Sequence, residues 1–237
     1  MNLQSDYSDY LSGAKFHNGL NVQISNRHEL KDRLCKIEEL VQNKNVLHAG
    51  CVDHLPLIKE KIHSNRWLHK RLSLCASRCM GFDIDQPGIE FVKKLGYSNV
   101  IYHDLIKDKI LPKEICEFEW DYMVLGELLE HINNPVLFLE ELKNKYQAKV
   151  SKVIITVPNA FRISNFKFSL FNKELINSDH RYWFTPYTLA KIIVESGLIM
   201  EDMHFVEGCL SRKSFFKNFL LKRKPLFCDT IVAIASL

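Results

Sequence analysis

Residues Asn45–Asp53, NVLHAGCVD, decide how the rest of the chain is read. Val46-Leu47 is a short apolar run, and Gly50-Cys51 ends it in a tight turn. A glycine there lets the backbone bend sharply and come close to a ligand, and a following helix would offer unpaired N–H groups. Two acidic markers follow at strand-like intervals, Asp83 in GFDID and Asp104 in YHD. A pyrophosphate-binding turn would call for G-x-G-x-x-G. Here the run is Gly50-Cys51-Val52-Asp53-His54, with no second glycine and with an acid that would repel phosphate. This argues against a dinucleotide and suits a cationic, phosphate-free nucleoside.

Outward from this stretch, short apolar runs alternate with helical patterns. The predicted strands are Val46–Ala49, Met80–Ile84, Val100–Tyr102, Tyr122–Leu125 and Val153–Val157, followed by Ile199–Val206 and Thr230–Ala235. Their continuous hydrophobicity suits a sheet covered on both faces. Pro87 opens one intervening helix and Gly96 stops it; Asn134-Pro135 and Thr185-Pro186 open two more, the last ending at Gly197. Strand–helix alternation implies right-handed crossovers and an α/β, Rossmann-like, mostly parallel sheet with an antiparallel last strand and helices on both faces. Residues 1–44 read as an N-terminal arm and helix, and 45–237 as the main domain. The first 25 residues are polar and are expected to form a loose arm or lid. Asn26 with Glu29 makes a capping-box pattern, after which Leu30, Leu34, Ile37 and Val41 share an apolar face.

Two segments break the alternation. Residues 159–184, NAFRISNFKFSLFNKELINSDHRYWF, read as an insertion roofing the C-terminal edge of the sheet, where ligands of such folds sit. Residues 211–227, SRKSFFKNFLLKRKPLF, carry six basic residues and four phenylalanines. They read as a basic excursion or solvated helix, with peripheral contact to an anionic membrane as the functional alternative.

Composition narrows the class. With 237 residues, 46% hydrophobic, the chain is long enough to bury a real core. No apolar run approaches the ~20 residues that cross a bilayer. No signal-peptide pattern opens the sequence. The seven scattered cysteines suit reduced thiols in a cytoplasmic protein, and Cys75 and Cys79 lack the second pair that would complete a zinc site. A net charge of +4 is too weak to argue for nucleic acid.

Four constellations carry the chemistry. The first is the Gly50 turn. In the second, Asp83 can accept hydrogen bonds from both hydroxyls of a ribose, while Asp85 can cap the next helix; both can instead serve as helix caps. In the third, Asp104 can take an adenine amino group and Leu105 can pack on the ring, although an acid ending a strand is also ordinary turn chemistry. The fourth is Gly126-Glu127-Leu128-Leu129-Glu130-His131. There Gly126 permits close approach, and Glu127 and His131 would share one helical face. That pair alone offers too few ligands for a metal, so none is expected, and His131 is assigned a structural hydrogen bond.

In this order the constellations resemble the class I S-adenosylmethionine (SAM) dependent methyltransferases, over roughly 45–206. VLHAGC is similar to the family's first motif, GFDID to its ribose motif, YHDL to its adenine motif and VLGELLEHINNP to its fourth-strand motif. TVPNAF followed by NSDHRYWFTPYTL resembles the glycan-associated branch. The resemblance implies SAM as cofactor, held by His48, Gly50, Cys51, Asp83, Ile84, Asp104, Leu105, Gly126 and Glu127. The sequence departs from the family at His48, where an acid is usual, and at Val52 and His54, where glycine is usual. A degenerate binding or scaffold protein is therefore the alternative to an active enzyme. The implied reaction is in-line methyl transfer to a saccharide or related small metabolite, with His180 as base and Asp179 as its orienting partner. His54, His63 and His69 are weaker candidates for the base. RNA fits less well as acceptor, because the basic residues concentrate in one late segment.

Overall fold

The apolar strands are covered on both sides, and the burial pattern shows how. In the computed structural model, which describes residues 3–25, 28–210 and 215–237, side chains of the central strands alternate between two cores. Val46, Val124, Ile154, Val232 and Ile234 point to one face, where Leu34, Ile37, Val41, Leu68 and Leu72 cover them. Leu47, Met123, Leu125, Val153 and Ile155 point to the other, against Leu139, Leu142, Leu189 and Ile193. Burial on both faces explains why these strands read as unbroken hydrophobic runs.

The chain begins with α1 (Leu3–Leu11) and α2 (Arg33–Val41), then enters the sheet at β1 (Asn45–Ala49). Two helices, α3 (Leu55–His63) and α4 (Leu68–Cys75), lead to β2 (Arg78–Asp83), α5 (Gln86–Lys94) and β3 (Val100–Tyr102). The short α6 (Lys113–Cys116) precedes β4 (Trp120–Gly126), and α7 (Pro135–Tyr146) leads to β5 (Val150–Pro158). Then come α8 (Ile163–Ser169), α9 (Pro186–Glu195), β6 (Ile199–Val206), α10 (Phe215–Arg223) and β7 (Thr230–Ser236). The strand order is β3-β2-β1-β4-β5-β7-β6. All pairs are parallel except those of β7, which runs antiparallel to both β5 and β6. Chain order reverses between β1 and β4, and that switch opens a crevice at the C-terminal ends of the strands.

Local chemistry sets the helix starts. Asp85 caps α5 through Gly88 N, Asn134 caps α7 through Leu137 N, and Thr185 forms a capping box with Thr188 at α9. Two expectations change at the N-terminal end. Residues 3–11 of the expected arm are docked: α1 packs on α9, Leu11 is fully buried, and Lys191 donates to the carbonyls of Tyr10 and Leu11, each at 3.2 Å. The second helix starts at Arg33 with Asp32 as its cap; the expected cap Asn26 lies outside the described residues. Leu34, Ile37 and Val41 still form its buried face. The late basic segment contains α10, with Phe215, Phe216 and Phe219 exposed. All seven cysteines are free thiols, and among the described residues no helix is long and apolar enough to cross a membrane.

Candidate functional site

A groove of about 870 Å³ opens at the C-terminal ends of β1, β2 and β4, within the size range of small-molecule sites. Its walls come from the Gly50 turn, the end of β2, the end of β4, Arg33 of α2, the α3–α4 connection and the roof residues Asn177 and His180.

The β1–β2 half is a turn held rigid by the backbone. Gly50 sits at φ +68° and donates its N–H to Phe82 O at 2.9 Å. Only glycine adopts that conformation cheaply, and an added Cβ would stand 3.2 Å from Leu128 Cδ1. Cys51 is buried, and its carbonyl accepts from Trp67 Nε1 at 3.0 Å. Asp83 accepts N–H groups from Val52 (2.8 Å) and Asp85 (3.0 Å), one on each carboxylate oxygen. A carboxylate has about four acceptor positions, so Asp83 keeps acceptor capacity for a ligand. Burial raises the Asp83 pKa, and those same N–H bonds oppose the rise. The acidic pair thus divides its work, with Asp85 capping α5 and Asp83 standing on the groove wall. Ile84 beside it is 64% exposed and offers an apolar surface to a flat ring. Asp53 is ion-paired with Lys61.

His48 lies at the floor of the groove but is only 2% exposed. Its Nδ1 faces His69 Nδ1 at 3.3 Å, with the two rings stacked. Burial, then His69, then Arg33 push its pKa well down, so the ring is neutral. His69 is itself fully buried. Asp104 and Leu105 do not reach the groove wall. The Asp104 carboxylate is spent on its own turn, accepting from Ile106 N and Lys107 N at 3.0 Å each and pairing with Lys107 Nζ at 3.4 Å, while Leu105 is buried.

The β4 half is built differently. The expected helix carrying Glu127 and His131 on one face is absent: β4 ends at Gly126 and a 3₁₀ turn spans Leu129–His131. Glu127 is at φ +55°, a strained conformation for a residue with a side chain. Its N–H points to Thr156 O (3.0 Å) and Thr156 Oγ1 (3.1 Å), and its Oε1 accepts from Thr156 Oγ1 at 3.1 Å. Three residues past this turn, Glu130 is 0% exposed. Burial, followed by the charge of Glu127, pushes its carboxyl up to about 9.

The roof closes onto carbonyls of this turn. Arg181 N donates to Glu130 O at 2.8 Å and Tyr182 Oη to Asn133 O at 2.7 Å, while Ala160 N to Phe184 O at 2.8 Å joins the two ends of the roof itself. These bonds bring the ring of His180 edge-on to that of His131, with centroids 4.7 Å apart. Burial, then His131, lower the His180 pKa and keep the imidazole neutral. Asp179 takes part through its carbonyl, which lies 3.2 Å from His131 Nδ1; its carboxylate makes no hydrogen bond to the His180 ring. Glu130, His131 and His180 each present a ligand atom within 4.8 Å of the others. At this motif the expectation of no metal considered Glu127 and His131 as a pair; the fold sets Glu130 and the distant His180 beside His131.

Arg33, Arg66, Trp67, Leu68 and Asn177 also line the groove, and the sequence reading passed over them. Asn65, at φ +55°, breaks the helix between α3 and α4 and turns Arg66, Trp67 and Leu68 inward. Leu68 then packs so closely that an added Cβ at Gly126 would lie 2.5 Å from its Cδ2. An Asn ahead of an Arg-Trp pair was the available signal.

Comparison with known proteins places this geometry. No family model matches the chain, and no curated protein matches its sequence. Solved structures do. The magnesium protoporphyrin IX methyltransferase of Synechocystis PCC 6803, solved with bound SAH, is similar over 86% of this chain and 81% of its own, at TM-score 0.53 and 13% identity. A SAM-dependent methyltransferase from Aquifex aeolicus is similar over 86% of this chain and 87% of its own, at TM-score 0.50 and 16% identity. The small RNA methyltransferase HEN1 is similar over 92% of this chain but only 27% of its own, at TM-score 0.57 and 14% identity. With its strand order, its antiparallel β7 and its crevice at the β1–β4 switch, the chain has the class I SAM-dependent methyltransferase fold.

Proposed function

We propose that the chain is a SAM-dependent methyltransferase acting on a hydroxyl of a saccharide or related small metabolite. The observation that carries this reading is the junction of Gly50, Asp83 and Ile84 on one wall of the groove. The left-handed Gly50 turn admits a ligand close to the backbone, Asp83 keeps acceptor positions for a ribose, and Ile84 offers a surface for a base. Asp53 and Asp83 beside a turn without further glycines suit a sulfonium better than a pyrophosphate. SAM supplies an intrinsically reactive methyl group when bound. The protein's part is to align the acceptor, exclude water and take up a proton. His180, neutral and facing the groove, is the group placed to receive it.

The saccharide is argued from the roof, where Trp183 lies 6.4 Å from His180 and carries the Arg162 guanidinium over its ring at 4.6 Å. Such aromatic and basic surfaces suit a polyhydroxylated, anionic or lipid-linked glycan. A second reading, a binding subunit without turnover, draws on His48, whose ring is engaged by His69 where the family has an acid. Calorimetry with SAM, S-adenosylhomocysteine (SAH) and NAD tests the first reading: heat with both adenosyl ligands and none with NAD is expected. No heat with either adenosyl ligand sinks it. Binding without methyl transfer to any member of a saccharide panel favours the second.

A further inference from the structure

Glu130 is enclosed at the β4 end of the groove, and among the described residues neither of its carboxyl oxygens has a hydrogen-bond partner. Buried carboxyl groups in folded proteins are hydrogen-bonded, ion-paired or bound to metal, because leaving one bare is costly. Its neighbours are two imidazoles. His180 Nε2 stands 3.9 Å from Glu130 Oε1, too far for a hydrogen bond. The ligand atoms of Glu130, His131 and His180 all fall within 4.8 Å of one another. Nitrogen and oxygen ligands about 2.1 Å from a single ion are themselves separated by roughly 3–4 Å, so small side-chain rotations would gather these groups around a shared centre.

The cluster also has a direction. His131 and His180 line the groove, while Glu130 lies behind them. An ion held there would meet protein on one side and open groove on the other, leaving positions for substrate or water. One carboxylate with two imidazoles suits manganese, iron or zinc rather than a soft metal.

We propose that Glu130, His131 and His180 bind one divalent cation, which takes a hydroxyl of the acceptor. The site itself stands on the geometry; its role rests on the methyltransferase reading above. On the ion, the acceptor O–H loses its proton to water in the groove. The oxygen then bonds to the methyl carbon while the sulfur–carbon bond breaks and the sulfur keeps the electron pair. The products are a methyl ether, SAH and one proton. In this arrangement His180 holds the ion instead of taking the proton, so Lewis-acid activation takes over the base role given to His180 above.

The test uses full-length protein stripped with EDTA. Manganese chloride alone is titrated in, and loss of the free Mn²⁺ paramagnetic resonance signal reports binding; SAH is titrated separately by calorimetry. One Mn²⁺ per chain is expected, with affinity weakened at least about 100-fold by Glu130→Gln and by His131→Ala. SAH affinity should stay within about twofold in both variants, which also shows that they fold; His180→Asn replaces either one that does not. Stripping should abolish methyl transfer to a saccharide panel, and Mn²⁺ should restore it. SAH binding without Mn²⁺ uptake overturns the ion site and leaves the methyltransferase reading intact. Mn²⁺ uptake without SAH binding does the reverse. Uptake that survives both substitutions puts the ion elsewhere and overturns the proposal.

Discussion

The two ends of the groove are made by opposite means. At the β1–β2 end, the polar groups of the groove wall are answered by the turn and its neighbours: Asp83 by the N–H groups of Val52 and Asp85, the Cys51 carbonyl by Trp67, Asp53 by Lys61. At the β4 end, Glu130 and His180 arrive from separate segments and leave buried atoms unanswered. The first is a finished shape that a ligand enters. The second is completed only when something occupies it.

That contrast can be broken in order of expected effect. His180→Ala, which removes a base or an ion ligand, should lower methyl transfer by ~100- to 10,000-fold, with SAH affinity unchanged in calorimetry; equal turnover would remove the β4 end from the chemistry. A stability test comes next. His69 titrates at about 4 in the fold, against 6.5 when exposed, because burial disfavours its charged form; its neighbour His48 is depressed in the same direction. The unfolded chain therefore binds more protons in this range. Stability is full above pH 6.5 and falls as pH drops toward 4, by roughly 3 kcal/mol for His69. Urea midpoints at pH 7 and pH 4.5 should show this drop, and His69→Gln should flatten it. Asp83→Ala should weaken SAH binding by about 10- to 100-fold, the worth of hydrogen bonds to a charged acceptor; an unchanged Kd would take the ribose away from this residue. Last, Gly50→Ala should cost about 1–2 kcal/mol in thermal unfolding, through its left-handed backbone and the closeness of Leu128.

The same contrast explains what could be read in the sequence. Strand runs, helix caps at Asp85, Asn134 and Thr185, and the Gly50 turn are written in adjacent residues, so periodicity and turn chemistry locate them. Asp83 followed, because its place is fixed by the end of a strand. The Asp104 turn shows the limit of such reading: an acid after a strand looked like a ligand and proved to be holding its own loop. The meeting of Glu130, His131 and His180 was not legible. It goes with Glu127 taking a left-handed turn that its residue type disfavours, and with bonds from the Arg181 N–H and the Tyr182 hydroxyl to carbonyls across the groove. Neither leaves a spacing pattern. The docking of α1 was hidden for a similar reason, since Lys191 reaches it through carbonyl groups, which any sequence provides.

The place of β7 in the sheet has a consequence for how the molecule is made. It follows β6 in the chain yet lies between β5 and β6. Until Thr230–Ser236 has left the ribosome, β6 has no strand to pair with and β5 shows an open edge. A nascent chain stopped before residue 230 would carry two unpaired apolar edges, the kind that recruit other chains. Synthesis therefore reaches its most aggregation-exposed point late, just after the basic, phenylalanine-rich stretch of α10 has emerged.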